Sequence, residues 1–478
     1  MECQMNRRNF IRGMTGLYFG GELLRPVDKL HEKPKSGVHV AAQSISAQGP
    51  NAAPSNRGKL VNNDNPVLAV RTMRDLRNSV GESNYQIVIL SCFRLPADGG
   101  AGLFFWDPGK MIPDNGGTVI QPLDVKKGRW VRIYDGALRA EWFGASPSVA
   151  AEENAQALNR AIAACAAGDS VILPQGSLEI ADTIIGKPGI TLQGHYNNHQ
   201  QLATARHDLV YSGPSGRDFI SLSNETDAVG MTFVGLNVNG RSCSRVFNMK
   251  TVRGRWIDCV IKGGDVGIYL DSGKNSAWNG EHRIAGCAIE GQRQYGIQVQ
   301  GRTAYDSFIE SNVIYNYGHC GIYFGSSSQA PGWLIASNHI YSGPNKLTSS
   351  GKPKRTVEIH ANATNFTLNA NYLEGGTYFK WTTGAGIPFL ITSNRLTLPD
   401  VANQIGIEVE VAGLRTCRVV ISQNILVMNP GARNRGVGIR ITKGIGAAVR
   451  GKIALNDFGD GNMKKYDFEP NPNLQVSE

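Results

Sequence analysis

Five ionisable side chains between positions 358 and 410 belong to the types that transfer protons in enzymes. Glu358 and His360 are two residues apart, as are Glu408 and Glu410, and Lys380 lies between the two pairs. Residues i and i+2 of a β-strand share a face about 6.6 Å apart, and neighbouring strands are about 4.8 Å apart. On three adjacent strands, these side chains would surround a single sugar residue. Paired carboxylates suit glycoside hydrolysis, and a Lys or His beside an acidic sugar suits β-elimination.

A short frame that recurs from Phe233 to Phe458 predicts the elements that hold these residues. It consists of an apolar residue, two spacers, Asn or an apolar residue, one spacer and an apolar residue, and residues 309–314 show it most clearly. The Asn position is filled by Asn312, Asn338, Asn371, Asn394, Asn424 and Asn456. Successive frames are about 23 to 33 residues apart, an interval typical of one turn of a solenoid.

A second frame recurs alongside the first and alternates apolar with polar residues. It begins at Gly267, Gly296, Gly321, Gly406 and Gly438. Alternation with period two indicates a strand with one buried face, so we expect two short strands per coil. Asn side chains at a repeated inward corner can bond one another in a ladder. A β-sandwich with accidental similarity between its strands is the alternative, and nine frames in register argue against it.

We therefore predict an all-β chain that forms a single-stranded right-handed parallel β-helix over residues 150–462, followed by a C-terminal tail at 463–478. Cys259 and Cys287 occupy the inward Asn position, and Cys320 alternates inward with an isoleucine. All three are interpreted as small buried hydrophobes, with disulfides as the second choice.

The N-terminal residues are interpreted as an export signal. Residues 6–12, Asn-Arg-Arg-Asn-Phe-Ile-Arg, resemble the twin-arginine motif. We assign residues 1–42 to this signal, with a basic disordered terminus as the alternative, and residues 43–66 to a flexible linker.

Several motifs between positions 98 and 176 carry a family resemblance. Residues 98–107, 114–120, 128–130 and 142–145 resemble the small domain that precedes the β-helix in phage tailspikes and related bacterial proteins. Residues 154–162 and 171–176 resemble the start of the helix in the pectate-lyase-like superfamily, which includes glycosyl hydrolase 28-related bacterial proteins. The resemblance implies a small mixed N-terminal domain at 67–145. Ala155, Leu158, Ile162 and Cys165 share one face of a helix that can cap the solenoid.

The same superfamily contains lyases, hydrolases, epimerases and non-enzymatic adhesins, so the resemblance transfers no catalytic residue. Phage tailspikes usually carry a sizeable trimerisation domain after the β-helix, and only residues 459–478 follow it here. We therefore expect a secreted bacterial protein that is periplasmic or extracellular, with a monomer favoured and a homotrimer left open.

Stacking the strands of the second frame predicts one outward column of side chains: Tyr269, Gln298, Tyr323, His360, Lys380, Glu408 and Arg440. Glu410 follows in a second column, and Glu358 also points outward. We assign Glu358, His360, Lys380, Glu408 and Glu410 as catalytic candidates. Tyr269, Tyr323 and Arg440 are assigned to substrate binding. Repulsion between Glu408 and Glu410 is expected to raise the pKa of one of them. The alternative is an ordinary solvated sheet face.

A second face, beside the Asn frame, is the rival site. Its outward residues include Tyr315, Tyr341, Tyr372 and Glu374, assigned to substrate binding because flat aromatic rings beside carboxylates grip sugars. The alternative is a set of tyrosines that only cover the sheet. Between the two faces, the insertion at 342–356 carries four cations, Lys346, Lys352, Lys354 and Arg355. They form either a clamp for an anionic chain or a solvated loop.

The composition of the chain limits the chemical class of its binding partner. The chain of 478 residues has a net charge of +10, which favours an acidic partner. No basic block interleaved with aromatics marks a nucleic-acid module, so we favour an anionic polysaccharide over nucleic acid. No cofactor or metal site is predicted, because neither cysteine spacing nor a calcium loop indicates one, and a calcium requirement stays open. The sequence contains no run of 18 apolar residues, so no membrane span is predicted.

We therefore predict a protein that cleaves an acidic glycan by hydrolysis or β-elimination on the outer face of the β-helix. A non-catalytic glycan-binding protein or adhesin of the same fold is the alternative.

Overall fold

The computed structural model describes residues 59–60, 67–195, 207–223, 229–271, 279–301, 304–326, 332–360, 365–381, 389–412, 416–429, 432–459, 462–469 and 471–477. The predicted export signal and most of the predicted linker lie outside these residues.

The polypeptide winds into a parallel β-helix whose coils contribute strands to three long sheets. Sheet 1 contains Ile184–Ile185, Ile220–Ser223, Arg245–Lys250, Val266–Asp271, Tyr295–Gln300, Cys320–Phe324, Arg355–Ile359, Gly376–Trp381, Ile405–Val411, Gly436–Lys443 and Met463–Asp467. Sheet 2 contains Leu138–Arg139, Ser170–Ile172, Thr191–Gln193, Thr232–Val234, Arg255–Ile257, Arg283–Ala285, Phe308–Glu310, Leu334–Ala336, Thr367–Asn369, Phe389–Thr392, Thr416–Ser422, Ala448–Ala454 and Leu474–Ser477. Sheet 3 contains Leu178–Ile180, Leu209–Tyr211, Asn237–Asn239, Val260–Lys262, Ala288–Glu290, Val313–Tyr315, His339–Tyr341, Tyr372–Glu374, Arg395–Leu398, Ile425–Met428 and Asp457–Phe458. The predicted fold class is confirmed.

A typical coil has three strands, whereas we expected two. The first frame crosses a corner between two strands: Ile309 belongs to sheet 2 and Ile314 to sheet 3. The chain turns at Ser311, which has a left-handed φ of 57°. Ser337 and Ser393 turn the same corner in later coils at φ 57° and 59°. One backbone residue in this conformation redirects the strand, so the corner is too short to appear as a break in the pattern.

The predicted Asn ladder lines this corner. Asn312 donates its amide to Asn338 at 2.9 Å, and Asn338 donates to Asn371 at 3.0 Å. The same contact joins Asn371 to Asn394 and Asn394 to Asn424, at 2.9 and 3.0 Å. Each of these amides also donates to a backbone carbonyl of an adjacent coil. The ladder thereby satisfies buried polar groups along one edge of the core.

One continuous apolar core fills the solenoid, and the helix Ala151–Ala164 covers its N-terminal end with Ala155, Leu158 and Ile162 buried. Cys259, Cys287 and Cys320 are buried free thiols, and no disulfide joins any cysteine in the described residues. No helix in this part of the chain is long and apolar enough to cross a membrane.

The small N-terminal domain is a six-stranded sheet with a short helix, Met73–Arg77, against its core. Its strands lie in the order Lys59–Leu60, Val67–Val70, Ile87–Leu90, Gly102–Asp107, Arg129–Ile133 and Val119–Ile120. A 3₁₀ turn at Ala140–Phe143 leads to the capping helix, and a two-stranded pair, Asn279–Gly280 with Ala304–Tyr305, extends from the solenoid.

The two ends of the β-helix differ from the expected boundaries. Leu138–Arg139, placed by us in the small domain, pairs with the first coil in sheet 2. Met463–Asp467 and Leu474–Ser477, placed in a tail, extend sheets 1 and 2. Backbone pairing with the coil before them is enough to add such strands, although they lack the repeated frame.

Candidate active-site groove

The register of sheet 1 places the outward residues differently from our expectation. Tyr323 pairs with Glu358, Glu358 with Tyr378, Tyr378 with Glu408 and Glu408 with Arg440. His360 and Lys380, which we placed in this first column, lie two residues further along their strands, in line with Glu410. The five predicted catalytic residues therefore share one face, but Glu358 and Tyr378 take the places assigned to His360 and Lys380.

Tyr378 is the residue of this column that the sequence interpretation missed. The inward residue before it is Thr377, which is fully buried and donates its hydroxyl to the Gly406 carbonyl. Because the inward position holds the polar residue Thr377 instead of an apolar one, the repeated frame was not recognised in this coil. The signal was nevertheless present, because Gly376 aligns this coil with the one that begins at Gly406.

A groove of about 670 Å³ lies over this column. The insertion contributes Leu347, Thr348 and Lys352 to one wall of the groove, and residues 401–404 also line it. The side chains that line it include His319, Arg355, Glu358, His360, Tyr378, Glu408 and Arg440. A volume of this size accommodates several sugar residues.

Glu358 is held between two imidazoles. Its Oε1 atom lies 2.7 Å from His360 Nε2, and its Oε2 atom lies 3.3 Å from His319 Nε2. Burial alone would raise the pKa of Glu358, but the contacts with His319 and His360 outweigh it and lower the pKa to about 2. The carboxylate is therefore ionised at neutral pH.

The other two carboxylates are paired with cations. Glu408 Oε2 accepts a hydrogen bond from Arg355 at 2.5 Å. Glu410 accepts one from the Tyr378 hydroxyl at 2.6 Å and lies 2.9 Å from Lys380 Nζ. The Tyr378 hydrogen bond, with help from Lys380, lowers the pKa of Glu410. The raised pKa that we expected from mutual repulsion is wrong for Glu410, because local partners stabilise its charge.

Tyr378 stays protonated in this setting. Burial and the hydrogen bond to Glu410 raise its pKa well above the ordinary value. The Arg355 guanidinium also lies 5.4 Å from the centre of the Tyr378 ring. Tyr378 is therefore a neutral hydroxyl at the centre of the groove.

The three residues that we expected to bind substrate on this face do not all line the groove. Tyr323 stacks on Tyr295 with ring centres 4.5 Å apart and approaches His360 at 5.6 Å. Arg440 lines the groove, where its Nε donates to Asp467 at 2.7 Å. Tyr269 does not line the groove.

Tyr269 is only 8 % exposed, because Arg245 lies 3.9 Å over its ring. A guanidinium in that position takes the place that a sugar ring would need, so the Tyr269 ring is covered in this structure.

Three of the four cations of the insertion occupy different environments. Lys354 is buried and donates to the Tyr317 carbonyl at 2.7 Å, so it anchors the loop. Burial lowers the pKa of Lys354. Arg355 bonds Glu408, whereas Lys352 is exposed and lines the groove.

The rival face has the register that we expected. Tyr315 stacks on Tyr341 at 5.1 Å, and His339 stacks on Tyr372 at 4.6 Å. Glu374 lies 3.2 Å from His339. The arrangement is a stacked ladder of rings, and both interpretations of this face stay open.

Among the described residues, no group of three or more His, Cys, Asp or Glu side chains is arranged to hold a metal ion. In the Glu358 cluster each imidazole bonds a different carboxylate oxygen, so the carboxylate lies between the two rings.

Comparison with known proteins finds a family match in the small domain. Residues 69–135 match the family model of the phage tail protein small four-stranded β-sheet domain. No curated protein matches the sequence.

Solved structures with a similar fold are remote in sequence. A tailspike protein from Acinetobacter baumannii bacteriophage Fri1, described as a capsular polysaccharide depolymerase, is 11% identical with a TM-score of 0.47, covering 83% of this chain and 76% of that one. DFA-IIIase from Arthrobacter chlorophenolicus A6 is 12% identical with a TM-score of 0.49, covering 72% and 93%. Tailspike protein 2 from Escherichia coli O157:H7 bacteriophage CAB120 is 14% identical with a TM-score of 0.41, covering 84% and 50%, so this chain spans about half its length. The chain resembles the tailspike-like parallel β-helix proteins, as the sequence motifs predicted.

Proposed function

We propose that the groove over Glu358, Tyr378 and Glu408 binds an acidic polysaccharide and cleaves it by β-elimination. The observation that carries this proposal is that an imidazole held by a carboxylate, a neutral tyrosine hydroxyl and an arginine all line one groove. β-Elimination needs a base, a proton donor and a cation for the substrate carboxylate, and these three types are present together.

His360 is the base in this proposal. Its Nε2 bonds Glu358, which fixes the imidazole tautomer with the proton on Nε2 and leaves Nδ1 to accept a proton. A carboxylate that orients a histidine in this way also stabilises the imidazolium that forms. Glu358 is suited to the role because its low pKa keeps it ionised.

The proposed β-elimination needs no co-reactant. His360 Nδ1 takes the proton from the carbon next to the uronate carboxylate, and the freed electron pair forms a carbon–carbon double bond. The bond from the neighbouring carbon to the glycosidic oxygen breaks, and the Tyr378 hydroxyl turns from Glu410 to that oxygen and protonates it. Water then restores both side chains to their starting protonation states.

The cations of the groove favour a negatively charged substrate. Lys352 extends from the insertion wall, and Arg355 and Arg440 lie on the floor. A guanidinium near the substrate carboxylate would stabilise the charge that develops on it in the transition state. The net charge of +10 also attracts an anionic polymer over long range.

Hydrolysis is the second candidate, because Glu358 and Glu408 are two strands apart in one column, about 9.6 Å between backbones. That spacing approaches the range of inverting glycosidases. It is less favoured, because Glu358 is ionised and Glu408 is bonded to Arg355, so neither is placed as the proton donor. Binding without cleavage is the third candidate, since each of these carboxylates has a partner within the protein.

The decisive experiment is incubation with polygalacturonate, alginate, hyaluronan and neutral dextran. Reducing ends and the ultraviolet absorbance of unsaturated products are measured together. Elimination gives both signals with an acidic polymer. Reducing ends without absorbance support hydrolysis, and retention on a polymer column without either signal supports binding alone.

A protein of this kind works where polysaccharides are exposed. The phage tail family match in the small domain supports a position outside the cell or on a virion. The predicted twin-arginine signal would place a bacterial protein in the periplasm or beyond.

A further inference from the structure

The insertion that borders the groove folds into a short hairpin. The Lys354 amide donates a hydrogen bond to the Lys346 carbonyl at 3.0 Å, and the Thr348 amide donates one to the Lys352 carbonyl at 2.8 Å. Gly351 turns the tip with a left-handed φ of 76°. These contacts fix the backbone of Lys352 next to the tip of the hairpin.

The base of the hairpin is attached to the body of the solenoid. Lys354 is buried, and its Nζ atom donates to the carbonyl of the fully buried Tyr317 at 2.7 Å. Lys352, only two residues earlier, is exposed and lines the groove. The hairpin therefore uses one lysine as an anchor and presents the other to the groove.

The other two cations that line the groove are paired with carboxylates of the protein. Arg355 donates to Glu408 at 2.5 Å, and Arg440 donates to Asp467 at 2.7 Å. The Lys352 ammonium, in contrast, forms no ion pair and no hydrogen bond with any residue that the structure describes. Lys352 is thus the cation of the groove whose charge is not offset by a protein partner.

The charge of the groove lining depends on this one residue. With the imidazoles counted as neutral, three cations and two carboxylates line the groove. Without Lys352, two of each would remain, and an acidic chain would meet no net attraction from the lining. An ammonium is a compact point charge with three donors on a flexible stem, so it can follow a sugar carboxylate without strict geometry.

We infer that Lys352 gives the groove its preference for an acidic over a neutral glycan, which rests on the proposed function of the groove. Its ammonium pairs with a carboxylate of the bound chain, whereas Arg355 and Arg440 supply donors whose charge is already offset. Because this contact is the same before and during bond breaking, it contributes to KM and not to kcat. Lys352 is therefore a specificity-determining residue and not a catalytic residue.

The test compares Lys352→Gln with Lys346→Gln. Both lysines belong to the same hairpin, and each change lowers the net charge of +10 by one, but only Lys352 lines the groove. Calorimetry measures the binding of polygalacturonate, alginate and hyaluronan oligosaccharides, with dextran oligosaccharides as the neutral comparison. At low salt, Lys352→Gln should weaken the binding of an acidic oligosaccharide about fivefold and leave any dextran binding unchanged. Lys346→Gln should bind both as the wild type does.

Charge reversal and salt provide a second measurement. Lys352→Glu should weaken acidic binding more than Lys352→Gln does, and both losses should shrink as salt rises, because screening shortens the reach of the charge. Equal losses in Lys352→Gln and Lys346→Gln overturn the inference and leave the proposed function standing, since the attraction would then come from the net charge of the whole protein. An equal loss of dextran binding in Lys352→Gln also overturns it. If the wild-type protein binds none of the acidic oligosaccharides, the proposed function fails and the inference fails with it.

Discussion

His360 Nε2 lies 2.7 Å from Glu358 Oε1, although His360 follows directly after the strand Arg355–Ile359 that carries Glu358 and the two residues are separated only by the inward-pointing Ile359. His319, from the preceding coil, contacts the other carboxylate oxygen at 3.3 Å. One carboxylate thus fixes two imidazoles on the floor of the groove. In the proposed mechanism, this arrangement orients His360 as the base.

Acid should remove the stabilisation that Glu358 provides. Its pKa is lowered from 4.5 to about 2, so its contribution is present above pH 4.5 and is lost as the pH falls toward 2. The wild type should therefore lose about 1–3 kcal/mol more unfolding free energy between pH 6 and pH 2 than Glu358→Gln does. Urea unfolding at both pH values measures the difference. Glu469→Gln, at an 81 % exposed carboxylate, is the control, and equal losses in Glu358→Gln and the wild type would contradict the prediction.

Activity should depend on His360 and Tyr378. Once a substrate is known, His360→Gln should lower kcat by about 10²–10⁴-fold, because the base is removed. Tyr378→Phe should lower kcat by a similar factor through loss of the proton donor. Circular dichroism should stay unchanged, since both side chains lie on the outer face. Tyr269→Phe, away from the groove, should keep full activity, and full activity in His360→Gln would exclude it as the base.

Replacing the paired carboxylates one at a time should show which of the two faces carries the site. Glu408→Gln frees Arg355 from its partner and should change KM for an acidic polymer more than kcat. Glu410→Gln removes the negative charge from the acceptor of the Tyr378 hydroxyl and should lower kcat about tenfold. Glu374→Gln on the rival face should leave both constants unchanged. A loss confined to Glu374→Gln would move the site to the tyrosine ladder.

The Asn ladder should act on stability alone. Asn371→Leu removes donors to Ile335 and Asn394 and the acceptor for Asn338. Unpaired groups in the core should lower the unfolding free energy by about 3 kcal/mol. Denaturant unfolding measures the loss, and Gln475→Leu at an exposed amide is the control. A change below about 0.5 kcal/mol in Asn371→Leu would mean that the ladder is dispensable.

Export should depend on the paired arginines near the N-terminus. Replacing Arg7 and Arg8 together by Lys keeps the charge and removes the motif. The precursor should then accumulate in the cytoplasm of a bacterial host. Cell fractionation measures this, and export at the wild-type level would show that the segment is not a twin-arginine signal.

The sequence by itself determined the solenoid, its Asn ladder and the face that carries the site. These features follow from local periodicity: Asn338 and Asn371 recur at one corner, and each strand alternates inward and outward residues. Glu358, His360, Glu408 and Glu410 could therefore be assigned to one surface from spacing alone.

Only the tertiary structure decided the strand register at the site and the side chains that contact the site residues. A strand shifted by two residues keeps the same buried face, so alternation could not choose between Tyr378 and Lys380 beside Glu408. His319 and Gln404 reach the groove from positions outside the strand pattern, which makes their contribution invisible to periodicity. The charge state of Glu410 likewise depends on side chains of the neighbouring coil, because a pKa responds to what lies within a few ångströms in space rather than along the chain.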